Sequence, residues 1–220
     1  MEIRKVNIDK DFEEWNDIII NSPDFYTIAH NPSLISFLDN FLGWKGESFF
    51  IEKESKAVAV YQHAFTSDSK VVSMPHFSYG GIIRKNDQFS KQEIFKALSK
   101  FFPNQFEIRE FEPYSKHYDT DKIATFLNLQ KTVNEQLAIF KSNHRRKIKK
   151  AYKNELEVEI SNSKEAILSF YKVYSKNMLR LGSPPLSIKF FNNLSNEYKF
   201  GEIKIFVVRY ENQVIGGAVV

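Results

Sequence analysis

Residues 156–220 read LEVEISNSKEAILSFYKVYSKNMLRLGSPPLSIKFFNNLSNEYKFGEIKIFVVRYENQVIGGAVV. Leu156–Ile160 alternates and predicts a strand. Ser163 is placed to cap a helix running through Ile167, Phe170, Tyr171, Tyr174 and Met178, and Gly182-Ser183-Pro184-Pro185 stops it. A second helix carries Ile188, Phe190, Phe191 and Leu194. Two strands follow, Ile203–Val208 and Val214–Val220, turning at Glu211-Asn212-Gln213. The same order opens the chain between Ile3 and Phe65: strand, helix, Ser-Pro break, helix, strand, turn, strand. Such self-similarity bears on the fold before any single residue does. It predicts an α+β protein of two related lobes, each a mixed sheet flanked by helices.

In the first copy, Ile3–Ile8 is the opening strand and Asp9 or Asp11 the expected cap of a helix carrying Phe12, Trp15, Ile18 and Ile19. Pro32 suits the first turn of the next helix, with Leu34, Ile35, Phe37, Leu38, Phe41 and Leu42 inward. Strands are expected at Phe49–Ile51 and Ala57–Phe65, then Val71–Met74. A helix with Ile94, Phe95, Leu98, Phe101 and Phe102 follows, then strands at Phe106–Phe111 and Ala124–Leu129. Thr132 with Glu135 forms a capping-box signature that starts one long helix reaching about Asn154. The expected domains are therefore a first lobe over 1–130, a linking helix over 131–154 and a second lobe over 155–220. The second copy has no counterpart of Val71–Leu129, so it is expected to be incomplete.

Composition limits the chemistry. Hydrophobic residues make up 42% and aromatics 15% of 220 residues, which suits a packed core and excludes a disordered chain. The absence of cysteine excludes disulfides and thiolate metal sites. The five histidines lack metal-ligand spacing, so no metal is expected. The N-terminus lacks the apolar core of a signal peptide, and no apolar run reaches the ~18–20 residues of a membrane span. A cytoplasmic protein is the expectation. Charge is concentrated in one place. Lys141–Lys153 holds seven Lys or Arg and no acid, and without them a net +4 becomes −3.

Three segments are candidates for function. In Lys141-Ser-Asn-His-Arg-Arg-Lys-Ile-Lys-Lys-Ala-Tyr-Lys153, Lys141, Arg145 and Lys149 form one helical stripe and Arg146 and Lys150 another. Like charges four apart repel, and an anionic ligand would relieve them. A solvated helix face is the competing reading. His144 falls on the apolar stripe, which favours a structural role. In Phe77-Ser78-Tyr79-Gly80-Gly81-Ile82, adjacent glycines permit φ > 0 or a close approach by backbone or ligand. A plain turn is equally consistent. Asn177-Met-Leu-Arg180-Leu-Gly-Ser183-Pro-Pro185 ends a helix with an amide, a cation and a rigid exit, and can be read as a helix stop alone. Arg109 alternates with Glu107 and Glu110 on a predicted strand. No nucleophile elbow, zinc motif or nucleotide-binding glycine loop is present.

Together with Thr27-Ile28-Ala29-His30-Asn31-Pro32, these segments resemble the FemAB-like branch of the GNAT acyltransferase superfamily across nearly the whole chain. The resemblance implies two GNAT-like lobes and transfer of an acyl or aminoacyl group to an amine. It implies an acyl-CoA or aminoacyl-tRNA donor substrate and no tightly bound cofactor. The acceptor would be a small molecule or a lipid- or nucleotide-linked precursor, and tRNA a possible partner. Tyr79, Gly80, Gly81, Asn143, Arg145, Arg146, Lys149, Asn177 and Arg180 would bind substrate, with no general base assigned. The chain departs from the pattern at Glu155, where a glycine is usual, and its first lobe lacks the pyrophosphate loop of CoA-binding relatives. A non-catalytic module that binds RNA or another anion, or a degenerate lobe, is the alternative.

Overall fold

The computed structural model describes all residues except 66–69, 76, 78, 103–105, 114–117, 119–124 and 198–201. His76, Ser78, His117 and Ala124 therefore lie outside the described residues. The chain divides into two compact units, whose described residues fall within 1–123 for the first and 125–197 and 202–220 for the second.

The first unit is a six-stranded sheet between two helical layers. Its elements are β1 (Glu2–Lys5), α1 (Ile8–Asn21), a 3₁₀ turn (Ile28–His30), α2 (Ser33–Leu42), β2 (Gly46–Lys53) and β3 (Lys56–Phe65). They continue with β4 (Val71–Val72), β5 (Ile83–Arg84), α3 (Lys91–Phe101) and β6 (Phe106–Glu107). The strand order is β1-β2-β3-β4-β6, with β5 also on β3. Alternation along β2 explains the layering. Phe50 points to Trp15, Ile18 and Ile19 of α1, whereas Phe49 and Ile51 point to Ile94 and Leu98 of α3. Each helix thus covers one face of a strand pair buried on both sides.

Gln62, buried in β3, fixes the loop ahead of α2. Its side-chain amide donates to the carbonyls of Ala29 and, at 3.2 Å, Asn31, and its oxygen accepts from Ser48 Oγ. Thr27 caps the 3₁₀ turn, and His30 Nδ1 accepts the Thr27 N–H at 3.0 Å. The Thr27–Pro32 segment is thereby a structural corner.

The second unit contains α4 (Val133–Ile139), α5 (Ser142–Lys153), β7 (Glu157–Ile160), α6 (Lys164–Arg180), α7 (Ile188–Glu197), β8 (Ile205–Tyr210) and β9 (Gln213–Val219). The sheet order is β7-β8-β9. Ala166, Ile167 and Phe170 of α6 and Phe191 of α7 pack on Ile205 and Val207.

The repeat extends to the register of the hairpins. Glu54 and Ser55 turn β2 into β3 with φ of 51° and 59°, and Glu211 and Asn212 turn β8 into β9 with 47° and 61°. Two-residue turns with both φ positive match the twist of an antiparallel pair. Lys53 pairs with Lys56 and Glu52 with Ala57, and then Val58 is skipped so that Ile51 meets Ala59. Tyr210 pairs with Gln213 and Arg209 with Val214, and then Ile215 is skipped so that Val208 meets Gly216. Turn type and bulge position coincide in the two units.

Several elements differ from the sequence reading. Asn7, not Asp9 or Asp11, caps α1. The two acids lie inside the first turn, where they suit its positive end. β4 stops at Val72 because Met74 turns to φ 46°, and β6 ends at Glu107 rather than Phe111 because its partner has left. Residues 125–129 form no strand. β5 was not anticipated. The predicted helix over 131–154 is two helices, broken where Phe140 and Lys141 are extended. Arg145 stabilises the break by donating to the carbonyls of Ala138 and Phe140 at 3.1 and 2.6 Å. The Thr132–Glu135 capping box is present as read. Among the described residues, no helix is long and apolar enough to cross a membrane.

Glu155 has φ 50° just beyond the Asn154 cap of α5. Left-handed backbone at this position of a helix end is ordinarily glycine's. Glu155→Gly is expected to raise stability by about 0.5–1 kcal/mol in urea unfolding. A destabilised variant would show that the Glu155 side chain compensates for its backbone.

His30 and His63 are buried, and burial lowers the pKa of each to about 4. His63 lies among Phe49, Phe65 and Phe102 with neither ring nitrogen hydrogen-bonded among the described residues. A base with a depressed folded pKa binds protons more readily when unfolded. Stability is therefore full above the unfolded value of 6.5 and falls as pH drops toward 4. At pH 5 the loss is about 2 kcal/mol per histidine. Urea unfolding of His63→Phe at pH 7 and pH 5 should recover about half of the wild-type loss. An unchanged loss would exclude His63 as a contributor.

Candidate functional site

In the first unit the site forms where β4 and β6 part. They are the parallel pair of the sheet, matched only at Val71–Phe106 and Val72–Glu107. One step further, Ser73 N–H donates to Glu107 O at 2.9 Å. The Arg109 N–H is then taken by the Ser73 hydroxyl at 2.7 Å instead of a backbone carbonyl. Beyond this point the chains diverge, and the segment leading to Gly80 lies against the continuation of β6. Ligands of open sheets bind beyond the carboxyl ends of parallel strands, and both strands point here.

Tyr79 and Phe111 stack at 3.6 Å with 21° between rings, and Phe25 meets Phe111 edge-on at 4.7 Å. Phe25 and Tyr26 are exposed and Tyr79 is half-buried. The Gly80 N–H donates to Arg109 O at 3.3 Å. Neither Gly80 nor Gly81 has positive φ. The pair is needed for close approach. A Cβ on Gly80 would sit 2.6 Å from Met74 Cβ, and one on Gly81 would overlap the Glu110 carboxylate.

That carboxylate belongs to an ion cluster which the sequence reading missed. Glu110 accepts from Ile82 N–H at 2.6 Å and Lys91 Nζ at 3.0 Å. Lys91 also lies 3.8 Å from Asp24, and Arg84 grips Asp24 through its backbone N–H, Nε and Nη2. The side chains of Asp24 and Glu110 are only 6% and 10% exposed. Burial raises the pKa of Glu110 despite Lys91 and Ile82. Burial also opposes ionisation of Asp24, but the hydrogen bonds from Arg84 outweigh it and hold the carboxyl below its usual range. Glu107 is held low in the same way by Lys70 and Arg109. The two buried acids are matched by the two bases, exposed Asp87 adds a further pair to Arg84 at 3.1 Å, and the cluster joins chain segments 24, 84, 91 and 110.

In the second unit, α5 contains no buried residue. Asn143 Oδ1 accepts the His144 N–H at 2.8 Å, and His144 is exposed. Arg145 is engaged with the carbonyls of α4, whereas Arg146 and Lys149 are exposed without an ion pair among the described residues. At the end of α6, Arg180 Nη2 donates to Asn177 Oδ1 at 2.9 Å, and both are exposed. Gly182, at φ 74°, and the Ser183 N–H to Met178 O bond close that helix. Among the described residues no group of three or more His, Asp or Glu converges as a metal site.

No family model matches the sequence, and no curated protein matches it significantly. A solved structure described as the crystal structure of FemX aligns over 96% of this chain with a TM-score of 0.56 and 16% identity. The chain has a FemAB-like fold. It spans 58% of the length of the FemX chain. At this identity the likeness is one of architecture; in this chain it comprises a mixed sheet flanked by helices in the first unit and an antiparallel sheet with helices in the second.

Within the FemAB-like fold, the first unit brings Tyr79, Gly80 and Gly81 together beside the parted strands. The second carries Asn143, Arg145, Arg146 and Lys149 on α5, and Asn177 with Arg180 on α6. The only sequence sign of the ion cluster was Arg109 alternating with Glu107 and Glu110. Asp24, Arg84 and Lys91 are too far apart in sequence for any local pattern to join them.

Gly81→Ala is expected to cost about 2–4 kcal/mol, because Ile82 and Lys91 hold the obstructing carboxylate in place. Glu110→Ala should cost about 3–5 kcal/mol by leaving Lys91 and the Ile82 N–H without this acceptor. Urea unfolding of the double variant should show less than the sum, since the second change removes the obstacle to the first. Strict additivity would mean that the two residues do not meet.

Proposed function

We propose that the chain is an N-acyltransferase or aminoacyltransferase of FemAB/GNAT type that acts on an amine of a cell-envelope or polysaccharide precursor. The FemAB-like architecture across 96% of the chain carries this reading. The motif resemblance of the Tyr79–Ile82, Asn143–Ala151 and Asn177–Pro185 segments adds to it. An activity of a whole Fem protein is part of the proposal, because the chain spans 58% of FemX.

The reaction needs an amine to attack an ester or thioester carbonyl, lose a proton and expel an alkoxide or thiolate. Most of the acceleration in such a transfer comes from holding the two reactants together and stabilising the oxyanion. In this reading the Tyr79–Phe111 stack and the Gly80–Gly81 backbone line the acceptor site. Arg146 and Lys149, with Asn143 and Arg145 beside them, meet acidic groups of substrate. Asn177 and Arg180 also bind substrate. The donor is acyl-CoA or aminoacyl-tRNA. Glu110 is a poor choice of base because both its oxygens are occupied, so the proton acceptor is left unassigned.

The test is transfer, read by mass spectrometry, from acetyl-CoA or from aminoacyl-tRNA to nucleotide-linked and lipid-linked cell-wall peptides. Tyr79→Ala, and Arg146→Ala with Lys149→Ala, should each lower kcat/KM by about tenfold to a hundredfold. Absence of transfer from every donor, with polyanion binding retained, would favour the non-catalytic anion-binding module.

A further inference from the structure

Residues 129–153 of the second unit contribute no buried side chain. They expose apolar groups that a helical hairpin would normally cover: Leu129 is 82% and Tyr152 77% accessible, and Val133 and Ile139 are also open. The same stretch holds the seven cations of 141–153, with no acid among them. Along α5 the helical period places His144, Ile148, Ala151 and Tyr152 in one stripe. The Lys141, Arg145 and Lys149 stripe borders it on one side and Lys147 on the other, and Arg146, Lys150 and Lys153 lie on the opposite face. Arg145 also folds the start of α5 back on the carbonyls of α4, so the two helices meet at a fixed corner.

We propose that residues 129–153 form a peripheral docking surface for an anionic lipid bilayer. Charge selects the partner's sign. The aliphatic groups select its class. A nucleic acid engages cations and flat aromatic rings and has no use for Leu129, Val133 and Ile139. A bilayer takes cations at its headgroups, aliphatic side chains just beneath them, and tyrosine at the boundary. The surface does not depend on acyl transfer, and it uses Lys141 and Lys147, which the transferase reading leaves unassigned.

Flotation with vesicles tests it. The chain should float with phosphatidylcholine mixed with phosphatidylglycerol but not with phosphatidylcholine alone, and added salt should weaken binding. Each basic residue near such a surface is worth about fivefold in partitioning. Lys141→Glu with Lys147→Glu should therefore reduce it by at least about twentyfold. Leu129→Ser with Val133→Ser should weaken the binding that persists in salt. All four positions are exposed, so the circular dichroism spectrum and melting temperature should be unchanged. As a second readout, the emission of Tyr152→Trp should shift to the blue on anionic vesicles. Failure of the unaltered chain to float, or equal flotation by the Lys141→Glu, Lys147→Glu variant, overturns the proposal. Binding to an oligouridylate without binding to vesicles assigns the surface to nucleic acid and also overturns it.

Discussion

The carboxylate of Glu110 stands where a neighbouring strand would offer a carbonyl. It receives the Ile82 N–H and so holds the end of the Tyr79–Ile82 segment on the continuation of β6. Gly81 must be glycine for the carboxylate to lie that close, and Lys91 must be present for a carboxylate to be tolerated there. A buried ion pair seldom adds net stability over an apolar replacement. The gain here is geometrical. The parting of β4 and β6 leaves backbone groups without a ladder, and Ser73, Arg109 and Glu110 take up several of them with side chains or irregular bonds. The aromatic stack of Tyr79 on Phe111 is placed by those substitutions.

The coincidence of the two hairpins is a stronger sign of duplication than element order. Element order is reproduced by any pair of strand–helix–helix–hairpin modules. A turn with two positive φ values, followed at the same distance by a skipped residue, is a finer match. A bulge moves every later side chain to the other face, so each copy depends on it to keep its apolar residues inward. The copies differ in bulk beyond the bulge. Tyr61 of the first corresponds to Ala218 of the second, and Val60 to Gly217, where a Cβ would meet the Phe206 carbonyl and the Phe170 ring.

Much of this was legible in sequence because the signals are local. The Thr132–Glu135 capping box, the Ser163 cap, the Gly182 stop and both hairpins depend on residues within a few positions of one another. What was not legible depends on partners far away or on none being present. Phe106–Phe111 alternates as a strand should, but only two residues find a neighbour because β4 has already turned at Met74. The segment Phe140-Lys141-Ser142 carries no glycine or proline, and only the reach of Arg145 to two carbonyls reveals the break. The Asp24–Arg84–Lys91–Glu110 cluster assembles only in the folded unit. The double glycine was read as permitting positive φ or close approach by backbone or ligand, with a plain turn equally consistent, and neither glycine has positive φ. The group that approaches, a buried carboxylate, was beyond inference from local pattern.

The corner between α4 and α5 also divides the basic helix into unlike residues. By composition its cations look interchangeable. Arg145 is not, because its Nη1 donates to two carbonyls 5 and 7 positions earlier and so ties α5 to the end of α4. Its neighbours Lys147, Lys150 and Lys153 project into solvent and could exchange with arginine freely. Sequence drift along this helix should therefore be uneven, with one cation held by its two backbone contacts and the others by charge alone.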